Sequence, residues 1–428
     1  MQATSSPARD ALDRCVEELQ HGDWKFIRLR AQGKESDYIN NDDIDLLGTR
    51  QSVKKLLAQA FIWSKEGKCH LRVHSSSPYK VCLQLFSTDA QHHLTLDLWT
   101  ELWQIDRKNQ KLTYEICASH LLDSPSSIQQ LPILLEACIF IHHLICKKKN
   151  ITTEKQLNRL HYYQEKCLAE NHTQLADALL SVIQKKRLTQ EIESISLQLI
   201  HKHLSLHQQA TWKRSMQKAA AALHSSYHRI PSTPKFITIM GCDGSGKTTL
   251  SRQIKQSEPN HFSLYTGKHL YRKWIIYKLL VIFLRPILFQ KREKFDDTLA
   301  PLIYLLAAIR LRWKNLFSNK KTTLIDRSIV DFLMLERKTD LPHFSRFYWL
   351  TKCIGLRLPH IHVIVPYQQL SMRKLEMTEK GHARYDELMF EALTGRSPSD
   401  HTIFSNHSSL EDSTHALQKI MATIISTH

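Results

Sequence analysis

Hydrophobic and polar residues follow two different patterns along this chain. Ahead of residue 120, short runs combine alternating polarity with β-branched or aromatic residues, as strands do: WKFIRLRA, CHLRVHSSS, KVCLQLFS, HHLTLDLW and QKLTYEICA. One stretch with helical spacing, Ser52 to Ser64, lies among them. The pattern predicts a small α+β domain over residues 1–120.

The following segment has a different spacing. From about Leu121 to Tyr227, apolar residues recur every third or fourth position, and glycine is absent. Pro231 and Pro234 end this pattern just before a strand-like run. We therefore predict a helical domain over residues 121–233 and a further domain over residues 234–428.

The amino-acid composition of the chain limits the classes of protein to which it can belong. Hydrophobic residues make up 42% and charged residues 23% of the 428 residues, which are globular values, so neither a disordered chain nor a multi-span membrane protein is the default expectation. Lys and Arg number 59 against 41 Asp and Glu, a net charge of +18. This surplus favours anionic partners such as nucleotides, nucleic acid or anionic membranes, but no aromatic and basic RNA-binding motif accompanies it.

The nine cysteines are odd in number and include no C-x-x-C pair, so they predict neither a disulfide framework nor a zinc site. The N-terminal residues lack a signal-like apolar stretch. We expect a cytoplasmic protein, with peripheral membrane attachment as an alternative.

The sharpest motif follows the strand-like run FITIM. It reads G-C-D-G-S-G-K-T, which satisfies the phosphate-loop pattern G-x-x-x-x-G-K-[ST] and precedes an amphipathic helix. Backbone amides and the helix N-terminus would hold phosphate oxygens, Lys247 would reach the β- and γ-phosphates, and the Thr248 hydroxyl would bind Mg²⁺. The predicted ATP-binding residues are Gly241, Cys242, Asp243, Gly244, Ser245, Gly246, Lys247, Thr248 and Thr249.

The loop sequence GCDGSGKTTLSRQ resembles that of thymidylate kinases. The runs LAPLIYLLAAIRLRW, TTLIDRSIVDFLML and HIHVIVPYQQLSMRKLEMTEKGHARYDEL resemble that family's arginine helix, Asp-Arg strand end and arginine-rich lid. The resemblance covers about Lys235 to Leu388. It implies a three-layer α/β P-loop kinase domain with a mainly parallel sheet, using ATP and Mg²⁺.

The resemblance also implies roles for individual residues. Asp326 would organise Mg²⁺ together with Thr248, and Asp243 would face the acceptor. The predicted catalytic residues are Lys247, Asp326, Arg373 and Arg384, with Lys380 also in the lid; the predicted acceptor-binding residues are Asp243, Arg310 and Arg327.

The acceptor half departs from the family. SLYTGKHLYRKW stands where thymidylate kinases have Arg-Glu-Pro, and Ile309, Leu311 and Arg312 replace the polar neighbours of the helix arginine. A nucleoside monophosphate stays the first expectation for the acceptor. A sugar or lipid-linked acceptor of polysaccharide assembly is the second.

Carboxylates in the first domain suggest another chemistry. Asp43 and Asp45 alternate on a predicted strand and so share one face, and Asp97 lies on a later strand. Three such groups can hold two Mg²⁺ ions for nucleotidyl transfer. Residues 22–200 resemble uncharacterised bacterial nucleotidyltransferases, and an active enzyme, a silent domain of that fold and no relation all stay open.

An apolar segment from Trp274 to Phe289 is flanked by basic residues. Burial in the kinase core or in a homodimer interface is one interpretation, and contact with an anionic membrane is the other.

From the sequence we expect an ATP- and Mg²⁺-dependent kinase that acts on a small-molecule acceptor. The alternatives are a nucleotidyltransferase in the first domain and a non-catalytic ATP-binding protein at a membrane.

Overall fold

The computed structural model describes most of the predicted elements. The residues it describes are 7–22, 24–29, 43–77, 80–100, 102–105, 111–114, 128–146, 151, 153–203, 236–266, 275, 278–279, 282–283, 322–326, 334–335, 343–344, 359–373, 377–394 and 400–427.

The first segment combines two helices with a run of strands. The helices are α1 (Pro7–His21) and α2 (Arg50–Lys65), and the strands are β1 (Phe26–Arg28), β2 (Asp43–Gly48), β3 (His70–Ser77), β4 (Lys80–Phe86), β5 (His93–Trp99), β6 (Leu102–Ile105), β7 (Lys111–Tyr114) and β8 (Ile128–Gln130). Helices and strands thus both occur in this segment, and its division as a separate α+β domain stays a prediction. Helix α2 begins where the Thr49 hydroxyl accepts the Ser52 amide hydrogen, an N-cap.

The middle segment is helical, as its spacing predicts. Its helices are α3 (Ile133–Cys146), α4 (Glu154–Ala169), α5 (Thr173–Lys185) and α6 (Gln190–His203). One expectation was wrong: Ile128–Gln130, in the stretch predicted to be helical, is strand β8, and it pairs with β1. Its pairing with a strand distant in sequence outweighs the local helical spacing.

The last segment alternates strands and helices. The strands are β9 (Phe236–Met240), β10 (Phe262–Thr266), β11 (Thr322–Asp326), β12 (Met334–Leu335), β13 (His343–Phe344), β14 (His360–Ile364) and β15 (His401–Ser405), and the helices are α7 (Lys247–Ser257), α8 (Tyr367–Arg373), α9 (Glu379–Thr394) and α10 (Leu410–Thr427). All five residues of β9 and of β14 are buried, as expected of parallel strands covered on both faces.

One continuous sheet of eleven strands links the first and last segments, in the order β10-β11-β9-β14-β15-β3-β4-β5-β2-β1-β8. Strands β10, β11, β9, β14 and β15 pair in parallel, as predicted for the last segment. Strand β3 then adds to β15 in the antiparallel direction. The last segment therefore does not end in an open sheet edge at β15.

A buried ion pair joins the two parts of the sheet at this seam. The Arg72 guanidinium donates to both carboxylate oxygens of Asp400, at 2.9 and 2.6 Å, and also to the Thr427 hydroxyl at 2.7 Å. Forked arginine–carboxylate pairing satisfies both charges in a place from which water is excluded. The seam is therefore held by side chains as well as by strand pairing.

Candidate phosphate-binding site

The predicted phosphate loop connects β9 to α7. Its three glycines have positive φ angles of 148° at Gly241, 93° at Gly244 and 91° at Gly246, which residues with a side chain rarely adopt. A Cβ on Gly241 would lie 2.5 Å from the Val363 carbonyl oxygen. The local sequence therefore folds into a tight turn that only glycine permits at this position.

Lys247 is buried at the first position of α7, where helix amides have no partner within the helix. Its amine donates to the Cys242 carbonyl oxygen at 3.0 Å and lies 3.3 Å from a carboxylate oxygen of Asp243. The ammonium is thus held across the loop, close to the start of the helix. This is a suitable place for a group that neutralises phosphate charge.

Asp326 ends β11, the neighbour of β9 in the sheet. The Thr248 hydroxyl donates to Asp326 Oδ2 at 2.9 Å. The second oxygen, Oδ1, is buried and has no hydrogen-bond partner among the described residues. A hydroxyl beside an unsatisfied buried carboxylate oxygen fits Mg²⁺, which takes one or two protein oxygens and completes its shell with water and phosphate.

Of the other predicted kinase residues, one lies beside the loop, two lie on α9, and two are not among the described residues. Arg373, at the end of α8, directs its guanidinium toward the Gly244 carbonyl oxygen at 3.5 Å, so it lies beside the loop. Arg384 pairs with Glu387 on α9 at 3.1 Å, and Lys380 is exposed. The predicted acceptor residues Arg310 and Arg327 lie outside the described residues.

The sequence did not point to Asn406, which follows β15. Its side-chain amide donates to the Ser245 carbonyl oxygen at 2.9 Å, and a Cβ on Gly246 would lie 2.9 Å from the same nitrogen. The preceding residue, Ser405, donates its backbone amide hydrogen to His70 and its hydroxyl to the Ser64 carbonyl oxygen. Contacts therefore run from α2 and β3 to the phosphate loop.

The sequence also did not point to a buried cluster of ionisable side chains on β14 and α9. Asp386 has one carboxylate oxygen 3.5 Å from His362 Nε2 and the other 3.8 Å from His382 Nδ1. Burial raises the pKa of Asp386 to about 7 and lowers the pKa of His362 to about 3 and of His382 to about 4. At neutral pH both histidines are therefore uncharged, and Asp386 holds its proton more readily than an exposed carboxyl group does.

In the first segment, the structure places the predicted carboxylates side by side. Asp45 and Asp97 face each other across the parallel pair β2–β5, and Asp43 lies opposite Thr95. The Lys80 ammonium forms an ion pair with Asp97 and lies 5.0 Å above the Trp99 ring, and the Trp99 indole donates to Asp45 at 3.0 Å. Burial raises the pKa of Asp97, and the nearby Lys80 opposes that shift.

Across the part of the chain that the structure describes, no set of three or more His, Cys, Asp or Glu side chains is arranged to hold a metal ion. The two-metal hypothesis for Asp43, Asp45 and Asp97 stays a prediction. The Thr248 and Asp326 pair is a different kind of site, because phosphate would supply the remaining Mg²⁺ ligands.

Comparisons with known proteins found similarity at the level of structure. The sequence matches no family profile and no curated protein. A thymidylate kinase from Candida albicans covers 44% of this chain and 91% of its own, at 18% identity and a TM-score of 0.30. A thymidylate kinase from Ehrlichia chaffeensis covers 44% of this chain and 97% of its own, at 13% identity and a TM-score of 0.28. Similarity of this size assigns no activity to the chain.

Proposed function

We propose that the protein is an ATP- and Mg²⁺-dependent phosphotransferase that acts on a nucleoside monophosphate or a related small molecule. The observation that carries the proposal is the loop itself. It is a glycine turn between a buried parallel strand and a helix, with Lys247 held across it and Thr248 on Asp326. These are the groups that a triphosphate and its metal ion require.

The loop supplies the donor half of the reaction. Amides at the start of α7 and the Lys247 ammonium would hold the β- and γ-phosphates, and Thr248 and Asp326 would hold Mg²⁺. When bound, the ion neutralises charge on the phosphate oxygens as the phosphoryl group transfers. Arg373, beside the loop, would stabilise the same charge.

An acceptor would bind beside the same loop. In a parallel α/β sheet, ligands bind beyond the carboxyl ends of the strands, which is where β9 and β11 end in the loop and Asp326. We propose Arg310 and Arg327 as acceptor-phosphate ligands, because arginine forks match phosphate geometry. Asp243 is already engaged with Lys247, so its acceptor role would require that contact to rearrange when the nucleotide binds.

The test is transfer from labelled ATP to a panel of nucleoside monophosphates, sugars and lipid-linked sugars. Lys247→Ala should lower transfer at least a hundredfold, since removing one preorganised donor that stabilises charge developing in a transition state costs about 10²–10³ in rate. Lys255→Ala is the matched control, because Lys255 lies exposed on the same helix. Transfer that is absent with every acceptor, or equal in both variants, would contradict the proposal.

A second candidate is nucleotidyl transfer by the first segment. The observation that favours it is the pairing of Asp45 with Asp97 on one face of adjacent strands. The test is incorporation of a labelled nucleoside monophosphate from ATP into an acceptor protein or small molecule. Loss of incorporation in Asp43→Ala/Asp45→Ala with Lys247 intact would support it, and incorporation that depends on Lys247 alone would exclude it.

A further inference from the structure

Five described residues between β10 and β11 are helical, and four of them expose large apolar side chains. Residues 275, 278, 279, 282 and 283 are helical. Ile275 is 75% exposed, Leu279 47%, Ile282 62% and Phe283 66%. At 3.6 residues per turn these positions lie within an arc of about 140°, so they form one face, which we call the apolar face.

This concentration is unusual on the surface of the described residues. Nine large hydrophobic residues there are exposed, and four of the nine make up the apolar face; the other five are spread along the chain at positions 62, 168, 180, 372 and 410. Single exposed apolar residues need no explanation, but a contiguous patch indicates a surface that something else covers. For these four residues, the expectation of burial in the kinase core was wrong.

The stretch of sequence that contains the apolar face carries charge of one sign. Residues 267–292 contain seven Lys and Arg residues and no Asp or Glu. Lys278 is exposed on the apolar face itself. A helix with a large apolar face and basic residues around it is the type that lies in the headgroup region of a membrane.

We propose that the apolar face binds the surface of an anionic lipid membrane. An anionic surface complements the basic segment, and each Lys or Arg near such a surface strengthens binding about fivefold. A second copy of the chain fits less well, because it would bring two segments of the same charge together. Within the described residues no helix has the length and hydropathy to cross a bilayer.

The experiment is co-sedimentation of the full chain with two kinds of vesicle, phosphatidylcholine alone and phosphatidylcholine mixed with phosphatidylglycerol. We expect binding to the mixed vesicles, weaker binding to the neutral ones, and loss of binding at high salt. Ile282→Asp/Phe283→Asp should lower binding to the mixed vesicles at least tenfold, because it removes apolar contact area and adds negative charge. Ile282→Ser/Phe283→Ser should give a smaller loss.

Two controls make the result decisive. Leu168→Asp/Leu410→Asp adds the same charge at two apolar residues exposed elsewhere, Leu168 at 52% and Leu410 at 45%, and should bind like the wild type. Thermal melting checks that each variant is folded, and sedimentation velocity without vesicles reports the oligomeric state. Equal binding to both vesicle types, or no effect of the Asp pair, would overturn the proposal. A dimer that the Asp pair dissociates, with no vesicle binding, would assign the apolar face to a second copy instead.

Discussion

The phosphate loop and the N-terminal carboxylates both bury charged groups, but they satisfy them differently. In the first segment, Asp97 has the Lys80 ammonium beside it, and Asp45 accepts from the Trp99 indole. At the loop, one oxygen of Asp326 is buried with no partner among the described residues, and Thr248 occupies only the other. A buried carboxylate without a hydrogen bond is costly, so the second arrangement is suited to receive a cation.

This difference suggests which of the two sites depends on a ligand. The N-terminal carboxylates have a counter-ion within the chain, which suits a structural role. The loop has a lysine, a hydroxyl and a carboxylate arranged around a glycine turn. Phosphate would pair with the lysine, and Mg²⁺ would bind the hydroxyl and the carboxylate. The contrast can be tested by changing one region at a time.

The largest effect is expected from Gly241→Ala. The added Cβ would meet the Val363 carbonyl oxygen at 2.5 Å, and alanine is strained at a φ of 148°. Backbone strain and overpacking together predict a cost of about 4 kcal/mol, with ATP binding lost. Gly381→Ala, inside α9, is the control, because its Cβ would meet side-chain atoms and no backbone atom, Met377 Cγ at 3.0 Å and Thr378 Oγ1 at 3.2 Å. ATP binding and thermal unfolding measure both variants, and a loop that tolerates alanine at position 241 would refute the geometry described.

Lys80→Met tests whether the N-terminal carboxylates depend on their internal counter-ion. Removing the ammonium leaves the buried Asp97 charge unpaired, so we expect a loss of about 3 kcal/mol in the free energy of unfolding. Lys80→Met/Asp97→Asn should recover most of that loss, since it removes the charge as well. Urea unfolding measures both. If Mg²⁺ stabilises the Lys80→Met chain, the carboxylates can bind metal, and the contrast between the two regions is weaker than described.

Asp386→Asn tests a buried carboxylate in the last segment that has no close cationic partner. The charges facing the Asp386, His362 and His382 cluster are Lys65 on α2, Glu387 on α9 and Lys247 on α7, with His401 on β15 as a further titratable neighbour.

Since burial raises the folded pKa of Asp386 to about 7, the folded chain binds more protons than the unfolded chain between about pH 4 and pH 7. This group's contribution to stability therefore falls as pH rises through that window. The two histidines, with lowered pKa values, contribute in the opposite direction, and their stabilisation is lost as pH falls below about 6.5.

Asparagine does not titrate, so the free energy of unfolding of Asp386→Asn, compared with that of the wild type, should rise by about 2 kcal/mol as the pH increases from 5 to 8. The control is Asp177→Asn, an exposed carboxylate on α5. Thermal melts across this range measure both variants. A difference between Asp386→Asn and wild type that does not change with pH would contradict burial of an ionisable Asp386.

The smallest effect is expected from Asn406→Ala, which removes the hydrogen bond to the Ser245 carbonyl oxygen. A net cost of about 1 kcal/mol predicts an ATP dissociation constant roughly fivefold higher. Asn406→Asp should not restore affinity, because a carboxylate cannot donate to a carbonyl. If affinity does not change, the contact does not position the loop.

The sequence predicted local features well and long-range ones poorly. The phosphate loop, β9, α7 and the strand ending at Asp326 are each formed by a contiguous run of residues. The local pattern of each run was therefore sufficient to predict it. The β3–β15 seam and the Arg72–Asp400 pair join residues more than three hundred positions apart, and nothing local marks them. Asn406 and Asp386 read as ordinary polar residues until the fold places them beside the loop or between two histidines.

Calorimetric titration of the intact protein with ATP and Mg²⁺ tests the central claim most directly. We predict saturable binding of one nucleotide per chain, weakened at least tenfold by Lys247→Ala and unchanged by Lys255→Ala. Absence of binding to the folded protein, or equal affinity in the wild type and Lys247→Ala, would contradict it.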